Sequence, residues 1–318
     1  MSDVMNTYGN LTAEQAEFYS RTLLDRLNGQ LMITKYAQKG LGAPKNAGDK
    51  VSFRRFGSLT VNTTELQEGV TPTALKASVA KVEGTVKQFG DFLVVTDKLQ
   101  LTGLDPVITE LSEVLGEQAG EKIETITMNT LTAGTNVIYA GGKVSRETVG
   151  KEDVLTADII LKVATQLKAA KAKPITLPDG SKGYLMFVNT KQAYDLKKDQ
   201  KWIEANHNHK DASNIINGCI GKYMGVYIIE YDFAPIVEGA GAESADVFQA
   251  IVLSEGAFGM PDIEGSAKPE MIIKVPKGDN ANTDDPLNQR STIGWKNLFE
   301  VLILDELRLV RVETGSSF

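Results

Sequence analysis

From Val51 to Asp97 the chain alternates in the manner of strands at both ends, yet its middle offers little to bury. Val51 and Phe53 on the way out, and Val79, Lys81 and Glu83 on the way back, follow a period of two. Between them, Gly57 to Ala77 is rich in threonine, carries Gly69 and Pro72, and has few large apolar side chains. A loop of about twenty residues with no core of its own is uncommon inside a compact domain. A two-stranded ribbon is also marginal alone in water. Such a segment has to lie on something else, and a neighbouring copy of the same chain is the simplest support.

The remainder has enough apolar material to fold. The chain has 318 residues, of which 42% are hydrophobic, so two packed regions are expected. A first helix is capped by Thr12, with Gln15 completing the capping pattern and Asn28-Gly29 ending it. Its stripe is Phe18, Leu23, Leu24 and Leu27. The glycine-rich run Gly40 to Gly48 then reads as a break between an arm and the body.

The strongest local signal follows the ribbon. Asp105 caps a helix, Pro106 takes its first position and Gly134 closes it, a span of about 40 Å at 1.5 Å per residue. Ile108, Leu111, Leu115, Ala119, Ile123, Ile126 and Thr130 share one face, so the helix reads as a spine. Glu110, Glu113, Glu117, Glu121 and Glu124 are expected off that face, as a solvent or interface row. A second helix starts at Thr156, buries Ile159, Ile160, Val163 and Leu167, and stops before Pro174. Beyond it, strands are expected at Tyr184 to Val188, Ile215 to Ile220, Gly225 to Tyr231, Val247 to Ser254 and Met271 to Val275, with a short helix over Lys191 to Lys198. Trp295 to Val312 reads as strands returning to the spine.

Motifs that carry chemistry fail on inspection. His207 and His209 lack any companion set with zinc spacing and read as part of a solvated loop. Cys219 sits in a strand-like stretch and reads as a buried, inert thiol, without an intramolecular disulfide partner. Ser145 to Glu152 resembles the end of a phosphate-binding loop but has Ser for its first Gly and Glu where magnesium needs Ser or Thr. Asp279 to Asp285 has clustered oxygens without the turn glycine or distal glutamate of a calcium loop. No catalytic residue, cofactor or metal is therefore expected. No run is long and apolar enough for a membrane span, and no secretory signal is read at Met1. The net charge of −7, with Lys and Arg scattered, argues against tight binding of duplex DNA and is compatible with loose enclosure of it.

Five pieces in order carry a resemblance over nearly the whole chain. They are Leu66-Gln67-Glu68-Gly69-Val70-Thr71-Pro72; Val86-Lys87-Gln88-Phe89-Gly90-Asp91-Phe92 with Thr96-Asp97; Asp105-Pro106-Val107; Gly134-Thr135-Asn136-Val137-Ile138-Tyr139-Ala140-Gly141; and Asp285-Pro286-Leu287-Asn288-Gln289-Arg290 leading to Gly294-Trp295-Lys296. In these the chain resembles the major capsid proteins of N-four-like tailed bacteriophages, which have the Hong Kong-97-type capsid fold. The resemblance implies an α+β fold with an N-terminal arm over 1–50, an extended E-loop hairpin over 51–97, a peripheral domain with the spine helix over 98–180, an axial domain over 181–275, and return strands over 276–318.

It further implies homo-hexamers and pentamers that close an icosahedral shell around double-stranded DNA, without sequence-specific binding and without a membrane. Portal, scaffold and decoration proteins are the expected partners. The virion is the expected location, with the host cytoplasm during assembly. Arg54, Arg55, Glu68, Lys76 and Lys81 are the residues expected to pair across subunits. An encapsulin-type compartment shell shares the fold and is the nearest rival. A soluble hydrolase using Cys219 or the two histidines is the rival from another class.

Overall fold

The computed structural model describes residues 13–40, 48–57, 59, 61–69, 71, 74–96, 98–99, 107–178, 180–207, 218–261, 270–274 and 289–318. The expected caps at Thr12, Asp105 and Pro106, most of the Gly40 to Gly48 break, His209 and the Asp279 to Asp285 cluster lie outside the described residues.

The first helix, α1 (Ala13–Gln30), lies along the spine helix, α2 (Val107–Thr132). Two glycines on the spine set their separation. A Cβ at Gly116 would stand 2.6 Å from the Leu23 carbonyl oxygen, and one at Gly120 would stand 3.1 Å from that of Leu27. With Ser112 and Ala119 beside them, these positions let backbone approach backbone, and Leu23 and Leu27 become fully buried.

Behind the spine stands the largest sheet, in the order β5 (Val137–Tyr139), β16 (Leu309–Thr314), β11 (Val247–Leu253), β7 (Lys182–Val188), β9 (Val226–Glu230), β8 (Cys219–Tyr223). It is covered on both faces. Leu185, Phe187, Ile251, Leu253 and Leu309 belong to one core with Ile123, Met128 and Leu131 of the spine. Their strand neighbours Met186, Val188, Val252, Val310 and Val312 belong to a second core with Ile160, Val163 and Leu167 of α3 (Ala157–Ala169). Alternation sends successive side chains to opposite faces, so strands buried on both sides read as continuous apolar runs. The short α4 (Thr190–Lys198) joins the second core through Ala193 and Leu196. Its N-terminus carries a capping box between Asn189 and Gln192.

A second sheet, β13 (Glu270–Lys274), β14 (Arg290–Phe299) and β4 (Lys87–Thr96), packs on the other side of the spine. Trp295 is buried there and donates its indole N–H to Gln118 Oε1 at 2.9 Å. Lys122 pairs with Asp91 at 2.6 Å, and that ammonium, with a bond from Gln118, holds the Asp91 carboxyl below its ordinary range. The stretch from Val51 to Asp97 therefore divides at Val86. Before it, β3 (Val79–Thr85) pairs only with β2 (Lys50–Phe56); after it, β4 is an integral strand of the body.

On the spine a sequence expectation is overturned. Glu124 does not join the outward acid row: it is 0% exposed, and Glu110 and Glu121 remain outside. Past Ile123 the buried stripe moves to Thr127, Met128 and Leu131, leaving Ile126 and Thr130 half-buried. The cause is geometric. A 26-residue helix packed first on α1 and then on the large sheet presents a drifting face, and positions seven apart do not stay aligned at 3.6 residues per turn. At Glu124 the burial is compensated by donors: the backbone N–H groups of Met32, Ile33 and Thr34 at 3.0, 3.1 and 3.3 Å, the Thr34 hydroxyl at 2.9 Å, and the Tyr231 hydroxyl.

Candidate assembly interface

The ribbon of β2 and β3 leaves the body from a built root. The edge of the Phe53 ring fills a slot between Gly40 and Gly259, where an added Cβ would lie within 2.6 and 2.7 Å of it. Leu302 lies against Gly84, and Val51 and Val86 form a small cluster with Leu298. Arg55 reaches Asp305 at 2.6 Å, where Arg308 also pairs at 3.0 Å. That carboxylate is 5% exposed and also caps the turn at Glu306–Arg308.

Beyond the root the ribbon is bare. On its outer face Arg54 stands directly opposite Lys81, and Phe56 directly opposite Val79. Like charges facing across a ladder destabilise it, and Glu83, paired with Lys81, partly offsets them. Phe56, Val79, Leu59, Val61, Leu66 and Leu75 are all more than half exposed, Val61 reaching 81%. Exposed apolar side chains gathered in one extended segment mark an interaction surface.

Of the residues expected to pair between subunits, Arg54, Glu68, Lys76 and Lys81 are all exposed on this ribbon and its loop. Arg55 is half-buried and engaged within its own chain by Asp305. Sequence reasoning passed over the apolar members, although Leu59, Val61, Leu66 and Leu75 can be read directly in the segment taken as poor in large apolar groups. What hid them was spacing: they follow neither a period of two nor of 3.6.

The outer face of the second sheet is the other exposed apolar surface. Phe92 and Val94 stand out from β4, 68% and 53% exposed. Opposite Phe92, β14 places Gly294, and β13 continues the row with Ile272. A hollow of about 380 Å³ lies over these strands, with Phe92, Ile272, Thr292, Gly90 and Gly294 in its lining; the two glycines let β4 and β14 approach closely, since a Cβ at Gly90 would run into the Trp295 carbonyl oxygen.

The other sequence candidates fall elsewhere. His207 ends a helix, α5 (Gln200–His207), and is not part of a loop. Cys219 opens β8 and is buried, which pushes its thiol up from the ordinary value. Arg146, in the stretch compared with a phosphate loop, forks onto the buried carboxylate of Glu313 at 2.6 and 2.8 Å. Among the described residues no three acids, cysteines or histidines converge as metal ligands, and no helix is long and apolar enough to cross a membrane.

Comparison with known proteins places these features. A family model described as "Phage capsid protein" matches residues 79–312. No curated protein matches the chain. Among solved structures, the capsid of Ralstonia phage GP4 superimposes with a TM-score of 0.72 at 14% identity, over 89% of this chain and 88% of that one. The cyanophage Pam1 capsid gives 0.64 at 16% identity, over 86% of each. A virus-like particle from Pyrococcus furiosus gives 0.52 at 12% identity, over 93% and 98%. These likenesses are of fold, and the α+β architecture they share is the Hong Kong-97-type fold expected above. With well over half its length matched by the family model, the chain belongs to the phage capsid protein family.

Proposed function

We propose that the chain is the major capsid subunit of a tailed bacteriophage, assembling into hexamers and pentamers of an icosahedral shell around double-stranded DNA. The observation that carries this reading is the ribbon, whose apolar side chains find no cover on their own subunit. In this reading 1–50 is the arm, 51–97 the E-loop with its return strand β4 built into the body, 98–180 with 276–318 the peripheral domain, and 181–275 the axial domain. The E-loop lies across the adjacent subunit, with Arg54, Glu68, Lys76 and Lys81 pairing there. Obligate interfaces commonly bury 2,000 to 5,000 Å² or more in total, on the order needed to order such an extension. Stability then comes from many modest contacts repeated around a closed shell.

The subunit acts through its interfaces and not as an enzyme. Portal, scaffold and decoration proteins complete the particle, which forms in the host cytoplasm. Its net charge of −7 suits containment of DNA, since a lining that held phosphate tightly would resist packaging and release. The likeness to the Pyrococcus particle concerns fold and does not separate a phage shell from a protein compartment; the family model favours the phage. The test is deletion of Gly57 to Ala77. The truncated subunit is expected to fold and to leave no particles in negative-stain images, whereas normal shells from it would refute the reading.

A further inference from the structure

The face of the large sheet turned away from the spine is covered by α3, α4 and α5, and the outer side of that layer is basic. Ile160, Val163 and Leu167 of α3, Ala193 and Leu196 of α4, and Trp202 of α5 share one core, which puts all three helices on the same side. Asp158 ties α3 to α5 through Lys201 at 2.6 Å, and the Ala157 N–H donates to Asp199 at 2.7 Å, so the layer is continuous. Between Ala157 and His207 the sequence holds nine lysines and no arginine against five acids, in a chain of net charge −7. Most of those acids are occupied. Asp195 is buried and accepts from Ser317, the Asp199 carboxylate accepts backbone N–H groups at Ala157 and Lys201, and Asp158 answers Lys201. Lys162, Lys168, Lys171 and Lys198 are exposed, and among the described residues no carboxylate pairs with them. Lys198 stands 3.9 Å over the ring of Tyr194, which is itself 42% exposed.

Protein–protein interfaces are enriched in arginine and depleted in lysine. A layer whose cations are all lysine, with Leu161, Tyr194 and Ile203 as its scattered exposed apolar groups, lacks the apolar centre that a protein partner needs. The spine, on the opposite face of the sheet, has the opposite sign. Glu110, Glu113, Glu117 and Glu121 reach its surface, Lys122 is its one cation, and Arg26 of α1 meets two of the four acids. Lysines lining a shell full of DNA would hold phosphate at every copy and retard packaging, so the division of charge turns the lysine layer outward. We propose that this layer of α3, α4 and α5 is a docking surface for anionic polysaccharide on the outside of the shell. Lysine is a point charge without the fixed fork of arginine, so it attracts anionic groups at many spacings, as a flexible polymer presents them. The open Tyr194 ring offers a flat apolar face to the C–H side of a sugar ring. Each contact is weak and screened by salt, and repetition over the shell multiplies them. The inference rests on the shell reading above and adds an external ligand to it.

The test uses assembled particles of the full chain, passed over immobilised alginate (a polyuronate) and over uncharged dextran. Retention on alginate alone, released by added salt, is expected. Particles carrying Lys162→Gln, Lys168→Gln and Lys198→Gln together are expected to bind alginate at least about tenfold more weakly. Lys39→Gln, Lys143→Gln and Lys151→Gln together make the same change in charge elsewhere and are expected to leave binding unchanged. An unaltered affinity in the first variant, an equal loss in the second, or equal retention on dextran overturns the proposal. So does tighter binding of free duplex DNA than of alginate, which assigns the layer to nucleic acid. A second measurement needs no variant. Unmodified particles are treated with an amine-acylating reagent, with and without soluble alginate, and the modified lysines are read by mass spectrometry. Lys162, Lys168 and Lys198 are expected to react in intact particles and to be protected by alginate, a polymer too large to enter a closed shell. If they fail to react, or react equally with alginate present, the docking surface is refuted while the shell reading stands. A chain that forms no particles overturns both.

Discussion

The Tyr231 hydroxyl donates to the carboxylate of Glu124 in the middle of the spine helix, and neither side chain reaches solvent. Because Glu124 also receives the backbone N–H groups of Met32, Ile33 and Thr34, one carboxylate ties the end of the arm, the spine and the large sheet at a single point. Burial, and then the neighbouring charge, push the tyrosine far above its ordinary value, so it remains a donor at any pH the fold tolerates. Removing the carboxylate leaves three backbone donors without their acceptor, each costing about 1–3 kcal/mol where buried. Glu124→Ala is expected to destabilise the subunit by about 3 kcal/mol or more. Tyr231→Phe is expected to cost about 1.5–3 kcal/mol, the range for a hydrogen bond to a charged group. Urea titration of both single variants and the double variant checks the account: the losses should be far from additive.

Glu313 gives the expected acid sensitivity. Burial alone would raise its pKa, but the forked Arg146, the nearby Arg311 at 2.9 Å and a bond from Gln249 hold it below the ordinary 4.5. A depressed native pKa means the unfolded chain binds the proton more readily. The stabilisation is then complete above pH about 4.5 and lost as pH falls through the lower native value. Glu313→Gln leaves Arg311 nearly buried without its counter-charge and is expected to cost about 3 kcal/mol at pH 7. Comparing urea midpoints at pH 7 and pH 3 tests this. The gap between native and variant should shrink at the lower pH, and a constant gap would count against the assignment.

The packing of α1 on the spine predicts a reversal of the usual helix rule. In an exposed helix, Gly→Ala is favourable by about 1 kcal/mol. At Gly116 the new methyl meets the Leu23 carbonyl at 2.6 Å, so Gly116→Ala is expected to destabilise by about 1–3 kcal/mol through overpacking. Hydrogen exchange should show the loss concentrated in α1, with the large sheet unchanged.

Arg55 is expected to act on the ribbon more than on global stability. Its side chain is 40% exposed, and Arg308 still serves Asp305 when it is gone, so Arg55→Ala should cost no more than about 1 kcal/mol. The root then rests on Phe53, Leu302 and the Val51–Val86 contact. Limited proteolysis within 57–78 should quicken several-fold, with the unfolding midpoint little changed.

Much of this architecture was legible because its elements carry short-range signals. The spine announced itself through spacing, and the runs at Tyr184 to Val188 and Val247 to Ser254 through apolar continuity; β7 and β11 fall there. The α4 helix lies over Thr190–Lys198, one residue longer than expected. Glu124 was illegible because its partners lie about ninety residues before it and 107 after it, and a glutamate in a row of glutamates gives no local sign of burial. The division at Val86 was equally hidden: strand alternation continues on both sides, and only pairing with β14 separates ribbon from body. The ribbon's charges were found by type, but its apolar groups and the Gly90–Gly294 hollow depend on what each strand faces, which one-dimensional periodicity does not record.

Hydrogen exchange across residues 57–78, compared between dispersed subunits and assembled particles, tests the central claim most directly. The amides of this loop are expected to exchange freely in the subunit and to slow by at least tenfold in the particle, where a neighbour covers them. Strong protection already present in the isolated subunit, or none gained on assembly, would contradict the account.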